Sequence, residues 1–211
     1  MQINLLCSLR NLPEHLFTEK KNEPWGGVDI GALLLLKKNI IPVMAVGDFD
    51  SISQEEKEYI SEYIELDAHK SEKDDTDLAL GVIQSIKAGY TEINIYGATG
   101  GRLDHFLGAL QILEKPEYKA QNITIKLIDD KNELQYLGKG KHYVKKDLKY
   151  RYISLIPVMY PTVLSLSHFK YNLNKEVLRL GSTLTISNEL EGDVGEVEVC
   201  WGGIILSRSS D

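Results

Sequence analysis

The pattern of apolar residues in this chain changes character close to Asn132. Before that point, apolar runs typical of buried strands, such as Pro42–Val46, alternate with segments of helical period. One such segment begins after Ser53, which has the spacing of a capping box with Glu56, and another ends at Gly89. Alternating strands and helices predict an α/β domain with a mainly parallel sheet.

From about Asn132 onward no stretch has a convincing helical period, and β-rich runs recur between Gly, Asn, Asp and Pro residues. This pattern is typical of an antiparallel sandwich or barrel. The β-rich runs are Tyr150–Val158, Thr162–Leu166, Thr183–Ile186, Val194–Val199 and Ile204–Ser207. We therefore predict two domains, 1–131 and 132–211.

Composition excludes several classes of function. The net charge of −7 argues against a nucleic-acid-binding protein, because such proteins usually carry a basic surface. Cys7 and Cys200 are far apart in sequence and form no metal-spaced pair, which favours ordinary thiols of a reducing compartment. No apolar run approaches the length of a membrane span, and the N-terminus does not resemble a signal peptide. We expect a cytoplasmic protein with no membrane partner.

A glycine-rich stretch, Gly97–His105, lies between the apolar run Ile93–Tyr96 and a segment of helical period. Glycines between a strand and a helix allow the backbone to approach a ligand, and the amides at the helix start can face an anion. Arg102 and Asp104 add charges within one turn. The stretch predicts a phosphate-handling loop; the plainer alternative is a glycine turn in which Asp104 caps the helix.

Two further acidic groups follow other elements. Asp48 and Asp50 come directly after an apolar strand, and extended geometry would turn both carboxylates to one side, where Mg²⁺ is the obvious counter-ion. Asp74 and Asp77 share a helix face at their spacing, although Asp74 as N-cap with Asp77 at N3 explains them equally well. Asp75 between them is expected to face solvent.

Together these residues resemble the thiamine pyrophosphokinase family. Its Gly-Asp-x-Asp-Ser motif is similar to Gly47–Ser51, and its Glu-Lys-Asp-x-Thr-Asp motif to Glu72–Asp77. Its Gly-(Ala/Gly)-x-Gly-Gly-Arg-x-Asp-His motif is similar to Gly97–His105. Its thiamine-binding segment is similar to Gly181–Thr183 followed by Ser187–Glu189. The four motifs come in the family's order and cover both halves of the chain.

The resemblance implies transfer of a pyrophosphoryl group from ATP to thiamine, with Mg²⁺, by a homodimer whose active sites lie at the subunit interface. It implies a Rossmann-like catalytic domain followed by a β-sandwich that binds thiamine. The implied metal cluster is Asp48, Asp50, Asp74 and Asp77. The implied nucleotide contacts are Asp48, Asp50, Lys73, Gly100, Gly101, Arg102, Asp104 and His105. The implied thiamine contacts are Ser182, Thr183, Ser187 and Asn188.

The chemistry of the transfer suggests roles for three of these residues. Arg102 is the candidate to stabilise charge in the transition state, and either Asp74 or Asp77 is the candidate to accept the thiamine hydroxyl proton. His105 is equally well explained as a structural histidine. The chain departs from the family where Cys7-Ser8 stands in place of a glycine pair after the first strand.

Two other functions remain open from the sequence. Asp48–Ile52 superficially matches the nucleophile motif of haloacid-dehalogenase-type phosphohydrolases, with Asp129-Asp130 as a late acidic pair. That motif normally follows the first strand, and this function leaves Gly97–His105 without a role. The second alternative is a non-catalytic thiamine or nucleotide sensor, against which the retention of every acidic motif position argues.

Overall fold

The computed structural model describes residues 1–68 and 75–211, and the chain divides into two compact units, Met1–Asp130 and Lys131–Asp211. Each unit has its own sheet pattern. The elements of the first unit are β1 (Gln2–Leu6), α1 (Leu16–Glu19), β2 (Trp25–Val28), α2 (Gly31–Lys37), β3 (Met44–Gly47), α3 (Gln54–Ser61), β4 (Leu66–Ala68), α4 (Asp77–Lys87), β5 (Glu92–Tyr96), α5 (Leu103–Leu113), α6 (Pro116–Ala120) and β6 (Thr124–Ile128).

The strands of the first unit pair in parallel in the order β4-β3-β2-β1-β5-β6. The chain therefore moves outward from β1 to β4 and then returns to the other side of β1 to form β5. Such a reversal is the topological switch point at which open α/β sheets bind ligands, outside the carboxyl ends of the strands. The loops that follow β1 and β5 flank this point.

Local chemistry fixes the ends of several helices, as the sequence predicts. Ser53 accepts a hydrogen bond from the amide of Glu56, whose carboxylate accepts one from the amide of Ser53, and this capping box starts α3. Gly89 follows α4 with a φ of +90°, in the left-handed region expected after a helix. Apolar side chains of α2, β3 and α3 form a buried cluster around Phe49.

The second unit contains strands and no helix among its described residues, which confirms the predicted change of pattern. Its elements are β7 (Asn132–Leu137), β8 (Gly140–Lys145), β9 (Tyr152–Pro157), β10 (Thr162–Ser167), β11 (Leu173–Leu178), β12 (Val194–Trp201) and β13 (Ile204–Ser209). Antiparallel pairs give the orders β7-β13-β9 and β11-β10-β12-β8. Buried side chains from both groups, among them Leu155 and Val197, form one apolar core, the arrangement of a sandwich.

The expected strand at Thr183–Ile186 is wrong. These residues form turns, and their partners lie across the unit: the amide of Leu155 donates to the carbonyl of Thr185 at 3.0 Å, and the hydroxyl of Thr185 donates to the carbonyl of Leu155. Thr185 is buried, while its neighbours Leu184 and Ile186 are exposed. The alternation of polar and apolar residues in this segment therefore belongs to a turn that is held by the hydrogen bonds of Thr185, and not to a strand.

Candidate active site

Three carboxylates meet at the carboxyl ends of β2 and β3, which pair in parallel through Val28 and Val46. Asp29, Asp48 and Asp50 each place one carboxylate oxygen within 4.8 Å of the other two. Asp29 was not among the sequence-predicted metal ligands. Its position directly after an apolar strand, like that of Asp48, is the signal that could have found it.

Asp29 presents an unusual carboxylate to this cluster. Its backbone has a φ of +50°, a region that Asp tolerates better than most residues. The hydroxyl of Ser51 donates to Asp29 Oδ2 at 2.6 Å, whereas Oδ1 is buried and has no hydrogen-bond partner among the described residues. A buried carboxylate oxygen without a partner is costly, and a cation would satisfy it.

Asp48 and Asp50 reach the cluster by a turn, so the expected extended geometry is wrong. Phe49 between them has a φ of +55° and is 1% exposed, because its ring anchors the loop in the core. The amide of Asp50 donates to Asp48 Oδ1 at 3.1 Å. The charge of Asp48 raises the pKa of the Asp50 carboxyl, with further contributions from desolvation and from Asp29.

Asp77 is the first residue of α4, and its charge also raises the pKa of Asp50. The helix is capped by Thr76, whose hydroxyl accepts from the amide of Ala79 at 3.3 Å. Thr76 is therefore the N-cap and Asp77 lies at N1, not at the N3 position that the alternative capping pair gave it. Lys73 and Asp74 lie outside the described residues. Asp75 is not simply solvent-facing, because its carboxylate pairs with Lys115 at 3.4 Å.

The glycine loop after β5 is held by hydrogen bonds to its neighbours. Gly97 and Gly100 have φ values of +72° and +73°, which a residue with a β-carbon rarely adopts. The hydroxyl of Ser8, after β1, donates to the carbonyl of Gly97 at 2.7 Å. The hydroxyl of Thr99 donates to Asp129 Oδ2 at 2.8 Å, and Asp129 is 4% exposed. The loop thus has a defined shape at the switch point.

Arg102 and Asp104 form an exposed, bidentate ion pair at the start of α5. The guanidinium of Arg102 donates to the two carboxylate oxygens at 3.1 and 2.5 Å. This pairing lowers the pKa of Asp104 to about 2. Arg102 occupies the N-cap position without a capping bond from its side chain, so the alternative in which Asp104 caps the helix is wrong. Asp104 instead accepts from the amide of His105, whose side chain is exposed.

The segment predicted to contact thiamine lies in the second unit, between β11 and β12. Thr183 and Ser187 are exposed and Ser182 is half-buried. Asn188 is 3% exposed, and its side-chain amide makes three hydrogen bonds to backbone: its carbonyl oxygen accepts from the amides of Tyr171 and Glu189, and its NH₂ donates to the carbonyl of Tyr171. The structure therefore gives Asn188 a role in shaping this segment.

A thiol lies close to the acidic cluster. Cys7 continues β1 by donating its amide to the carbonyl of Tyr96 at 2.9 Å. Burial, and to a lesser extent the charge of Asp29, raises the pKa of the Cys7 thiol to about 12. The thiol is therefore protonated at neutral pH.

Taken along the sheet edge, the acidic cluster follows β3 and β2, and the glycine loop follows β5, with β1 between them. Carboxylates beside a glycine loop and a helix start suit a ligand that carries phosphate and a cation. The fold and the site define a class: a two-unit protein in which an α/β unit with a phosphate-type site is joined to an antiparallel β unit.

Comparison with known proteins identifies the family within this class. The family model described as thiamin pyrophosphokinase, catalytic domain, matches residues 18–127, and the one described as thiamin pyrophosphokinase, vitamin B1 binding domain, matches residues 141–202. The chain belongs to the thiamine pyrophosphokinase family. This confirms the resemblance seen in its four motifs and leaves the phosphohydrolase and sensor alternatives without support.

Individual relatives agree over most of the chain. The thiamine pyrophosphokinase of Bacillus subtilis is 44% identical over 189 residues, which cover 89% of this chain and 87% of that protein. Its crystal structure superposes with a TM-score of 0.89 over the whole of both chains. A crystal structure described as a probable thiamine pyrophosphokinase, from Staphylococcus saprophyticus subsp. saprophyticus, is 49% identical over the full length of both chains, with a TM-score of 0.84.

The helices of the described part of the chain are all too short or too polar to cross a membrane.

Proposed function

We propose that this protein transfers the pyrophosphoryl group of ATP to the hydroxyl group of thiamine, giving thiamine diphosphate and AMP. Family membership supports this activity, and both family domains are present in the chain. The structural observation that carries it is the cluster of Asp29, Asp48 and Asp50, at the same sheet edge as the glycine loop. One oxygen of this cluster is buried and has no hydrogen-bond partner within the described residues. A phosphate chain that brings a cation matches both features.

Mg²⁺ is the metal we propose for this site. The donors are carboxylate oxygens, which hard divalent cations prefer, and Asp29 Oδ1, buried and without a hydrogen-bond partner in the part of the chain that the structure describes, provides a place for one. Asp29, Asp48 and Asp50 would hold it. Asp74 and Asp77 are further proposed ligands, carried over from the family motif. When bound, the ion neutralises phosphate charge. The mutual repulsion that raises the pKa of Asp50 is the electrostatic reason for the cluster to accept a cation.

The transfer needs positioned charge more than covalent participation of the protein. The thiamine oxygen attacks the β-phosphorus, the bond from that phosphorus to the oxygen bridging the α- and β-phosphates breaks, and AMP leaves with the bridging oxygen. Asp74 or Asp77 accepts the hydroxyl proton. Gly100, Gly101 and Arg102 face the nucleotide phosphates, and Lys73, Asp104 and His105 complete that side of the proposed site.

The second unit would supply the thiamine contacts. Ser182, Thr183 and Ser187 present hydroxyl groups at or near the surface, and Asn188 holds their segment in shape. We propose direct contacts to the pyrimidine from this group, including Asn188 if its segment opens toward the ligand. Chemically, hydroxyl and amide groups match the ring nitrogens and the amino group of a pyrimidine.

We propose a cytoplasmic homodimer with active sites at the subunit interface. Exposed leucines on α5 support a partner surface: Leu103 is 76% exposed and Leu107, one turn later, is 59% exposed. The parallel strand order with its reversal at β1 supports describing the first unit as Rossmann-like. A size measurement at micromolar concentration tests the dimer, and a strict monomer at concentrations that show full activity would contradict it.

The decisive experiment incubates the purified protein with ATP, Mg²⁺ and thiamine and separates the products. We expect thiamine diphosphate and AMP in equal amounts. Formation of ADP or thiamine monophosphate, or the absence of thiamine-dependent turnover, would contradict the proposal. Phosphate release without thiamine would instead support the phosphohydrolase.

A further inference from the structure

The two arginines of the first unit, Arg10 and Arg102, both lie in loops that flank the topological switch point. Arg10 is in the loop after β1, and Arg102 is in the loop after β5. The two strands are neighbours, since Leu6 pairs with Tyr96. Any ligand outside the carboxyl ends of β1 and β5 therefore meets both loops.

Arg10 packs against the glycine loop itself. A β-carbon on Gly101 would lie 3.1 Å from Cζ and 3.7 Å from Cδ of Arg10, and it would overlap a terminal guanidinium nitrogen. Ser8 holds the other side of the contact: its hydroxyl accepts from the amide of Arg10 at 3.2 Å and donates to Gly97. The close fit thus places a guanidinium along the loop that the sequence marks for phosphate.

The two guanidinium groups differ in what they already bind. Arg102 is engaged with both oxygens of Asp104. Within the residues that the structure describes, the Arg10 guanidinium has no ion pair or hydrogen bond, and its side chain is exposed. Arg102 must break its ion pair with Asp104 before it can donate two hydrogen bonds to a phosphate. The N–H donors of the Arg10 guanidinium need no such exchange before they bind a ligand.

Arg10 also lies at a central place along the sheet edge. The acidic cluster follows β2 and β3, on one side of β1, and the glycine loop follows β5, on the other. Neighbouring strands are about 4.8 Å apart, so a ligand that reaches from β3 to β5 spans roughly 14 Å and must cross the end of β1. A triphosphate nucleotide has this length, and a guanidinium at the crossing matches its charge.

We propose that Arg10 binds the phosphate chain of ATP directly and is the principal guanidinium contact in the initial complex. This inference rests on the proposed function only for the identity of the nucleotide. The glycine pair that the family often has after the first strand corresponds to Cys7-Ser8, so Arg10 lies outside the four family motifs seen in the sequence.

The test measures nucleotide binding in the absence of thiamine, by calorimetry, for the wild type, Arg10→Ala and Arg10→Lys. Because Arg10→Ala removes the proposed bidentate contact between guanidinium and phosphate, we expect its ATP affinity to fall by roughly ten- to a hundred-fold. Adenosine affinity should stay within about two-fold, because adenosine has no phosphate. Arg10→Lys should recover part of the loss, since lysine restores the charge but not the planar fork.

Lys21→Ala is the matched control, because Lys21 is an exposed cation of the same unit in the loop before β2. It should leave ATP affinity unchanged. In turnover assays Arg10→Ala should raise KM for ATP far more than KM for thiamine.

Unchanged ATP affinity in Arg10→Ala, or equal losses for ATP and adenosine, would overturn the inference. Its failure is distinguishable from failure of the proposed function. If wild-type protein makes no thiamine diphosphate but binds ATP in a manner that depends on Arg10, only the function fails. If it makes thiamine diphosphate and Arg10→Ala binds ATP normally, only this inference fails.

Discussion

The hydroxyl of Ser51 donates to Asp29 Oδ2 at 2.6 Å and leaves Asp29 Oδ1 buried without a hydrogen-bond partner among the described residues. One carboxylate oxygen of Asp29 is thereby oriented by a hydrogen bond within the protein, and the other remains for the proposed cation. Since Ser51 follows β3 and Asp29 follows β2, the bond also ties together the two loops that build the acidic cluster. This arrangement is the basis of the first two predictions.

Asp29→Asn should abolish the response of the protein to Mg²⁺. The amide is nearly isosteric with the carboxylate but has no charge, so the cluster loses a charged ligand while its packing is kept. We expect a Mg²⁺-dependent rise in melting temperature in the wild type and none in the variant. Glu92→Gln is the control, because it makes the same change at the start of β5, at the opposite end of the strand. A normal Mg²⁺ response in Asp29→Asn would contradict the metal assignment.

Ser51→Ala should weaken Mg²⁺ binding without removing a ligand. The freed Oδ2 lets the Asp29 carboxylate rotate, and the loss of such an orienting partner typically costs about ten-fold in metal affinity. Ser51→Thr keeps the hydroxyl and should restore most of the affinity. Calorimetric titration with Mg²⁺ measures the affinity of each protein. Equal affinities in the wild type and Ser51→Ala would show that the hydroxyl has no positioning role.

Asp50→Asn should abolish turnover while the protein stays folded. Asp50 is exposed and its charge is opposed by that of Asp48, so neutralising it relieves repulsion and is not expected to lower stability. Circular dichroism checks the fold, and production of thiamine diphosphate checks the activity. Near-normal activity in a folded variant would mean that the metal site does not depend on this carboxylate.

Arg102→Gln should raise the pKa of Asp104 from about 2 toward its ordinary value of 3.8. Because the paired carboxyl has a lowered pKa, the pair contributes stability above the pH at which the unfolded Asp titrates, about 3.9, and that contribution is lost as the pH falls toward 2. Carbon-13 NMR of the Asp carboxyl carbons reports the pKa directly. Arg10→Gln is the control and should leave Asp104 unchanged. An Asp104 pKa that stays near 2 in Arg102→Gln would contradict the pairing.

Asn188→Ala should destabilise the second unit by about 1–2 kcal/mol, because it removes a buried side chain that makes three part-buried hydrogen bonds to the backbone of Tyr171 and Glu189. Urea unfolding measures the change. Thr183→Ala, at an exposed position in the same segment, should stay within about 0.5 kcal/mol. If Asn188→Ala unfolds like the wild type but binds thiamine poorly, its role is in the ligand contact and not in the fold.

Elements whose conformation depends on nearby residues were predictable from the sequence, and elements whose conformation depends on distant residues were not. The capping box at Ser53 and the glycine after α4 were predictable, because both depend on residues within one turn of the helix. Thr183–Ile186 was not, because its conformation is set by hydrogen bonds to β9, about thirty positions earlier in the chain. The periodicity of a sequence shows which residues alternate between polar and apolar, but it does not show which distant backbone groups will form hydrogen bonds with them.

The candidate site shows the same division. Asp48 and Asp50 were predicted to come together, but by an extended strand, whereas burial of Phe49 drives the chain into a turn. Asp29 was missed because its relation to Asp48 depends on β2 and β3 being neighbours. Arg10 was missed for the same reason, since only the reversal of strand order brings the loop after β1 against the glycine loop.

The protonated thiol of Cys7 has a practical consequence for chemical intervention. Alkylating agents and peroxide react with thiolate, so a thiol with a pKa of about 12 is nearly inert at neutral pH although it lies next to the acidic cluster. Cys7 is therefore a poor target for oxidants and for cysteine-directed covalent inhibitors at neutral pH. A covalent probe of this site would have to be aimed at a lysine or a carboxylate.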